Sequence, residues 1–336
     1  MTLKEVIKYR KIWMGFAILW VIFFHFGYKP PDPLAALLQL SGYSGVDIFF
    51  FASGIGCYLS YSRDKNAAAF IKRRFIRIMP TYFVFLVIWC TYKVITDGMD
   101  FTTVLGNIFC VQNLTGKGGS LNWYFAAMWI FYLLTPYFVA VADKIKKPAG
   151  CVLFCLLLVL FSFPFWNVKA LIIIVTRLPV YFLGMYLAKR SQVSDDKISL
   201  KFMLIATVLS IISMAALIVC YFKLYDELGN YGLWWYPFII IAPTICLYLS
   251  FICKQLEKKS VGQKILKAFS FIGSYTFELF LVHIFVFKEV SSMIMERQPN
   301  HVIAIWFAAL IPVAIGAAIL YQLTKGVKKL IKKAAK

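Results

Sequence analysis

The sequence predicts an all-α polytopic membrane protein of about ten transmembrane helices, with both termini cytoplasmic. Three observations carry that expectation. The first is composition: of 336 residues, 61% are hydrophobic and 15% charged. That ratio leaves too little polar surface for a soluble domain to face water, and a mean hydropathy of +0.77 agrees. The second is that apolar runs of about 17–25 residues, the length of a helix that crosses the hydrocarbon layer, recur along the whole chain. The third is that basic residues fall on alternate connections between those runs, as they do when Lys and Arg are held on the cytoplasmic side.

The runs are 12–28, 45–61, 78–95, 121–141, 149–165, 170–188, 202–222, 232–253, 271–287 and 302–323. Nothing between them is long enough for a separate soluble domain, so 1–336 reads as one integral-membrane domain. Of the 36 Lys and Arg, 28 lie in the N-terminal arm, the connections 62–77, 143–148, 189–201 and 254–267, and the tail from Lys325. Seven lie on the opposite side, and Arg177 is inside the sixth run. The first run follows Lys4, Lys8, Arg10 and Lys11 but has no small-residue cleavage site after Tyr28, so it is read as a retained span. The longest outer connection, 96–120, has a mixed apolar middle that suggests an interfacial or partly re-entrant segment. The basic tail 325–336 is expected to lie on anionic lipid. No internal repeat of the transporter kind is evident.

The formal charge of +21 would suggest nucleic acid in a soluble protein. Here the charges sit in short connections and meet lipid head groups instead, so no nucleic-acid partner is expected. Eight cysteines are scattered, mostly inside apolar runs and without a CxxC pair, and read as small buried hydrophobes.

His25 is the first candidate for chemistry. It lies 14 residues beyond Lys11, roughly 21 Å along a helix and therefore in the outer half of the membrane. A polar ring there is costly and marks a functional site by default. A neutral imidazole can serve as a general base, whereas a histidine bonded inside a bundle is the structural alternative. Asp47 opens the second span a short connection later. It reads either as a carboxylate that orients the imidazole or as an acid favoured by a helix N-terminus. Gly42, Gly45 and Gly54 around it allow close backbone approach. Arg73, Arg74 and Arg77 precede Pro80 at the inner face, with Arg73 and Arg77 one turn apart. Guanidinium forks suit phosphate oxygens, and membrane anchoring is the alternative. Arg177 in the sixth span and Glu278 and His283 in the ninth read as structural pairs, with Arg177 or Arg77 as partner, or as the lining of a pathway. There is no P-loop, HExxH, GxSxG or metal-ligand cluster, and no metal is expected.

These pieces together resemble the membrane acyltransferase-3 family. His25 at the end of the first span resembles that family's essential histidine. Gly42-Tyr43-Ser44-Gly45-Val46-Asp47-Ile48-Phe49-Phe50 followed by Ser53-Gly54 is close to its G-Y-x-G-V-D-x-F-F-x-x-S-G stretch. Arg73-Arg74-x-x-Arg77-Ile78-x-Pro80 is similar to its R-R-x-x-R-I-x-P. Leu121-Asn122-Trp123, Arg177 with Pro179 and Gly184, and the stretch from Gly273 through Glu278 to His283 resemble further motifs of it. One departure stands out. Many members carry an arginine just before the first-span glycine, whereas here Met14 precedes Gly15, and Arg10 and Lys11 lie about one turn earlier.

The resemblance implies transfer of an acyl group, usually acetyl, from cytoplasmic acyl-CoA to a hydroxyl of an extracytoplasmic or lipid-linked glycan. It implies a stand-alone member in a bacterial plasma membrane, without a fused esterase-like domain. Acyl-CoA would be a co-substrate, with no permanently bound cofactor. His25 and Asp47 would be catalytic, and Arg73, Arg74 and Arg77 would bind acyl-CoA. Tyr43, Ser53, Trp123, Arg177, Glu278 and His283 would support them. The competing expectation is a transporter or flippase for a lipid-linked sugar or small solute, with His25 and Glu278 as a proton relay.

Overall fold

The computed structural model describes residues 1–26, 32–115, 123–194, 197–223, 233–287 and 302–334. It is built of helices. Eight helical stretches among the described residues are long and apolar enough to cross a bilayer, or nine if one bent pair counts as a single span. Each predicted run falls on helix, but three depart from a simple straight span. The first run folds as α2 (Arg10–Phe24), preceded by a short α1 (Leu3–Lys8). With 15 residues α2 is roughly 22 Å long, shorter than the hydrocarbon layer, and its predicted end at Gly27 and Tyr28 lies outside the described residues. The sixth run is broken at Thr176 and Arg177 into α9 (Lys169–Val175) and α10 (Leu178–Val193). The ninth is bent by 68° at Tyr275, between α13 (Ser260–Ser274) and α14 (Thr276–Phe285).

The other elements are α3 (Pro33–Leu40), α4 (Gly45–Tyr61), α5 (Ala67–Asp97), α6 (Phe101–Ile108), α7 (Trp123–Lys144), α8 (Pro148–Ser162), α11 (Leu200–Lys223), α12 (Phe238–Leu256) and α15 (Val302–Ala334). Side-chain caps start several of them. Asp32 accepts from the Ala35 amide, Asn66 from Ala69 and Asp100 from Thr103, each filling one orphan donor of a first turn. The segment 101–114 forms α6 and a following turn, and Tyr82 Oη donates to the Asn107 carbonyl at 2.5 Å to dock it on α5. The basic tail does not form a separate surface segment. Its described part continues the tenth helix without a break to Ala334.

α4 is buried along most of its length, and α2 packs beside it with Trp13, Ala17, Ile18, Val21 and Ile22 buried. α11 is apolar all round and exposes Leu204, Ile205, Val208, Ile211 and Ile212, which suits a helix bathed in lipid. Without a hydrophobic drive between helices in lipid, close backbone packing at small residues holds such bundles together. Two glycine pairs do this here. Gly54 of α4 lies against the Tyr181 carbonyl of α10, and Gly184 of α10 lies against the Phe51 carbonyl of α4. Gly15 of α2 lies against Phe269 of α13, and Gly273 against the Lys11 carbonyl. A Cβ at any of the four would overlap backbone, which cannot yield as a side chain can. Gly42 and Gly45 bring the start of α4 equally close to Trp20 and Ala17 of α2. Gly54→Val is therefore expected to abolish folding. Monodispersity of the detergent-extracted protein measures this, and a variant that elutes and melts like the parent would refute the packing.

At the end of the bundle that carries the N-terminus, α1 and α2 are tied to α12. Lys8 pairs with Glu257 at 2.8 Å, Lys254 with Glu5 at 2.7 Å, and Trp13 Nε1 donates to Ser250 at 2.9 Å. The hydrogen bond from Lys8, and after it that from Tyr9 Oη at 2.8 Å, hold the Glu257 carboxyl below the usual range. All eight cysteines are free thiols.

Candidate active site

The glycine pairs fix the register of the site. Gly15 and Gly273 face each other, and ten residues beyond each stand His25 and His283. Gly54 and Gly184 face each other, and seven residues before each stand Asp47 and Arg177. Both outer pairs meet. His283 Nε2 lies 3.3 Å from His25 Nδ1, with ring centroids 4.9 Å apart in an edge-to-face arrangement. Asp47 Oδ1 lies 3.4 Å from Arg177 Nε, and both side chains are buried.

The hydrogen bonds of the histidines assign their protons. His283 Nδ1 lies 3.0 Å from the Leu279 carbonyl and His25 Nδ1 lies 2.9 Å from the Val21 carbonyl. A carbonyl only accepts, so each Nδ1 carries the hydrogen. His283 Nε2 is then an unprotonated acceptor, and the His25 Nδ1–H is shared between it and Val21. His283 is fully buried, whereas His25 is exposed at the end of α2 and lines a cavity of about 460 Å³.

That cavity is strongly aromatic. Tyr43, Trp123, Trp234 and Trp235 line it together with Asn113 and Arg177. The Arg177 guanidinium sits between two indoles, 4.4 Å from the Trp235 ring centroid and 5.2 Å from that of Trp123. It also donates to the Ile173 carbonyl at 2.9 Å, freed where the sixth span breaks, and to Thr176 Oγ1 at 3.1 Å. Tyr43 Oη donates to the Trp234 carbonyl at 3.0 Å, fixing the wall.

Two expectations change. Asp47 does not hold the His25 imidazole; its carboxylate faces Arg177, and its second oxygen is buried without a hydrogen bond. The reason is helix rotation. Asp47 shares with Gly54 the face of α4 that packs on α10, while His25 ends α2 and meets α14. Likewise His283 pairs with neither Arg177 nor Arg77, but with His25. Ser53 stands against the Tyr124 hydroxyl, deeper between α4 and α7.

The basic group at the other end divides. Arg73 is an exposed fork on Asp64, with Nη1–Oδ2 at 2.6 Å and Nη2–Oδ1 at 3.2 Å. This hydrogen bond holds the Asp64 carboxyl below its usual range. Arg74 points inward: Nη2 donates to the Gly56 carbonyl at 3.0 Å, the guanidinium lies over Phe70 and Tyr132, and Nε is buried without a partner. Arg10 reaches the other side of Gly56 and has a buried, unpartnered Nη1. Arg74 and Arg77 both lie within its electrostatic reach. The basic residue one turn before Met14 is thus the one that joins the cluster. Glu278 opens α14 near Arg77 and Lys328 rather than near His25.

Sequence reasoning missed the Trp234–Trp235 wall and Asn113, and it left Arg10 and Lys11 open as the residue that stands in for the arginine missing at Met14. Adjacent tryptophans at the mouth of a span were the available signal for the first.

The fold and this cavity define a polytopic helical membrane protein with a paired histidine at an aromatic pocket. Residues 14–322 match the model of the acyltransferase domain of the acyltransferase-3 type, and the chain belongs to that family. It is 30% identical over 109 residues to nodulation protein 10 of Rhizobium leguminosarum bv. viciae, a match covering 32% of this chain and 27% of that protein. The chain thus aligns with about a quarter of that relative's length. No solved structure matches.

Proposed function

We propose that this acyltransferase moves an acyl group, acetyl in the first instance, from acyl-CoA to a hydroxyl of a lipid-linked or extracytoplasmic carbohydrate, with His25 as general base. The proposal places the protein in a bacterial plasma membrane, with its basic end in the cytoplasm. The single observation that carries it is the histidine pair itself, in which His283 Nε2 lies 3.3 Å from His25 Nδ1 while His25 lines the aromatic cavity. His25 Nε2 would take the proton of the acceptor hydroxyl, and its oxygen would attack the thioester carbonyl. The thiolate of CoA would then leave and take up a proton. The indole and phenol rings of the cavity suit the apolar faces of a sugar, while Asn113 and Arg177 suit its hydroxyls. At the other end, Arg10, Arg74 and Arg77 form a guanidinium cluster suited to a diphosphate. Arg73 is already occupied by Asp64 and contributes less.

The test is acyl transfer by purified protein in proteoliposomes with no solute gradient, using acetyl-CoA and a glycan acceptor, read by mass spectrometry. Ester formation supports the reading. Solute movement without any ester would replace it with transport.

His283 acts here as a positioning residue. Loss of the group that fixes a base's tautomer costs up to about 10⁴-fold in the serine-protease triad. The Val21 carbonyl shares the task here, so His283→Phe is expected to lower kcat on the order of 10- to 100-fold with KM unchanged. His283→Gln, which retains an acceptor, should recover part of it. Equal kcat in both variants and the parent would remove His283 from the mechanism.

A further inference from the structure

A second pocket, of about 270 Å³, opens at the basic end between α14 and α15. It is lined by Glu278, Tyr321, Thr324, Lys325, Lys328 and Lys329. Residues 321, 324, 325 and 328 fall on one face of α15 by helical spacing, so Lys325 and Lys328 border the same hollow, with Lys325 also open to solvent. Lys328 Nζ donates to the Arg77 carbonyl at 3.2 Å, which pins it over the hollow and joins α15 to α5. Glu278 lies within electrostatic reach of Lys328 and Arg77. It is the one carboxylate in the lining and stands against three ammonium groups, so the pocket is net positive. Thr324 is only 3% exposed, and its hydroxyl is buried with no hydrogen-bond partner. A buried hydroxyl without a partner carries a desolvation cost that a ligand oxygen would remove. Four of the six lining residues, Thr324, Lys325, Lys328 and Lys329, lie past residue 322, where the family match ends, and Glu278 and Tyr321 lie within it.

We propose that this pocket binds a phosphate group, with Lys325, Lys328 and Lys329 supplying charge and Thr324 Oγ1 a directed hydrogen bond. Two sources present that chemistry at this end of the bundle. One is the ribose 3′-phosphate of CoA, whose diphosphate would lie on the neighbouring guanidinium cluster; this source rests on the acyl-donor reading above. The other is the head group of an anionic lipid. Compact ammonium groups suit a phosphate as point charges, without the planar fork that a guanidinium offers.

The test uses the full-length protein in nanodiscs, as the parent, Thr324→Val and the double variant Lys325→Gln/Lys329→Gln. Those two lysines make no ion pair among the described residues, so their removal spares the fold. Binding of CoA and of 3′-dephospho-CoA is measured by titration calorimetry in phosphatidylcholine discs. Thermal stability is measured with and without phosphatidylglycerol. For the nucleotide source the parent should bind CoA about tenfold tighter than 3′-dephospho-CoA, the size of a charge-assisted hydrogen bond. The variants should lose that ratio while their affinity for 3′-dephospho-CoA stays the same. For the lipid source the ratio is near one, and phosphatidylglycerol stabilises the parent but not the variants. Variants that match the parent in both measurements would overturn the phosphate pocket. A parent that binds neither nucleotide would count against the acyl-donor reading alone, and the lipid comparison would then decide the pocket.

Discussion

His25→Ala is expected to remove acyl transfer while the protein still inserts and folds. General-base activation is typically worth 10²–10⁴-fold, and among the described residues that line the cavity no other offers an imidazole nitrogen, since His283 is fully buried beside the exposed ring of His25. The fold should tolerate the change, since His25 caps α2 at its end and the packing of that helix rests on Gly15, Trp13 and Ile18. The measurement is single-turnover ester formation in proteoliposomes, beside a melting curve in detergent. A turnover within a few-fold of the parent, with the protein intact, would mean that the acceptor is deprotonated elsewhere. His25→Gln sharpens the comparison, because it keeps a polar side chain but supplies no basic nitrogen.

A large loss of stability is expected at Arg177. Arg177→Met would leave the Asp47 carboxylate buried, with one oxygen already lacking a partner. Removing one member of a buried pair costs about 3–5 kcal/mol, whereas replacing both by neutral groups is often close to neutral. The double variant Asp47→Asn/Arg177→Met should therefore be more stable than Arg177→Met alone, by a coupling on the order of 1–3 kcal/mol. Thermal unfolding of the four proteins in detergent gives that cycle. Strict additivity would show that the two side chains do not interact, and that Arg177 is held instead by Trp123, Trp235 and the Ile173 carbonyl.

Much of the site was present in the sequence as single residues. His25, Asp47, Arg177 and His283 could each be picked out, because a polar or charged group inside an apolar run is costly, and Trp123 through the motif it resembles. Gly42, Gly45 and Gly54 could be read as places of close approach, and they are. What could not be read directly was the partner of each group. A short connection between His25 and Asp47 made them neighbours on paper, yet the carboxylate turns to α10 and the imidazole to α14. The equal spacings were a usable hint: ten residues from Gly15 to His25 and from Gly273 to His283, and seven from Asp47 to Gly54 and from Arg177 to Gly184. They become informative only once it is known which glycines face each other.

Span geometry divides in the same way. Hydropathy located the apolar runs, because each must present about 30 Å of apolar surface to lipid. It did not show that the sixth breaks at Arg177, that the ninth bends by 68° at Tyr275, or that the basic tail simply prolongs the last helix. A break inside a buried span is tolerated because neighbouring groups take up the freed carbonyls, as Arg177 does for Ile173.

By itself, then, the sequence determined that the chain is a helical membrane protein, where its helices lie and which side chains are too polar to be there without a use. Periodicity, length and charge are local properties that any stretch carries with it. The tertiary structure alone decided that the two histidines meet, that the aspartate faces an arginine and that lysines of the last helix line a pocket. Those facts depend on how helices far apart in the chain are rotated and slid against one another. In lipid that register is set by where backbones can touch.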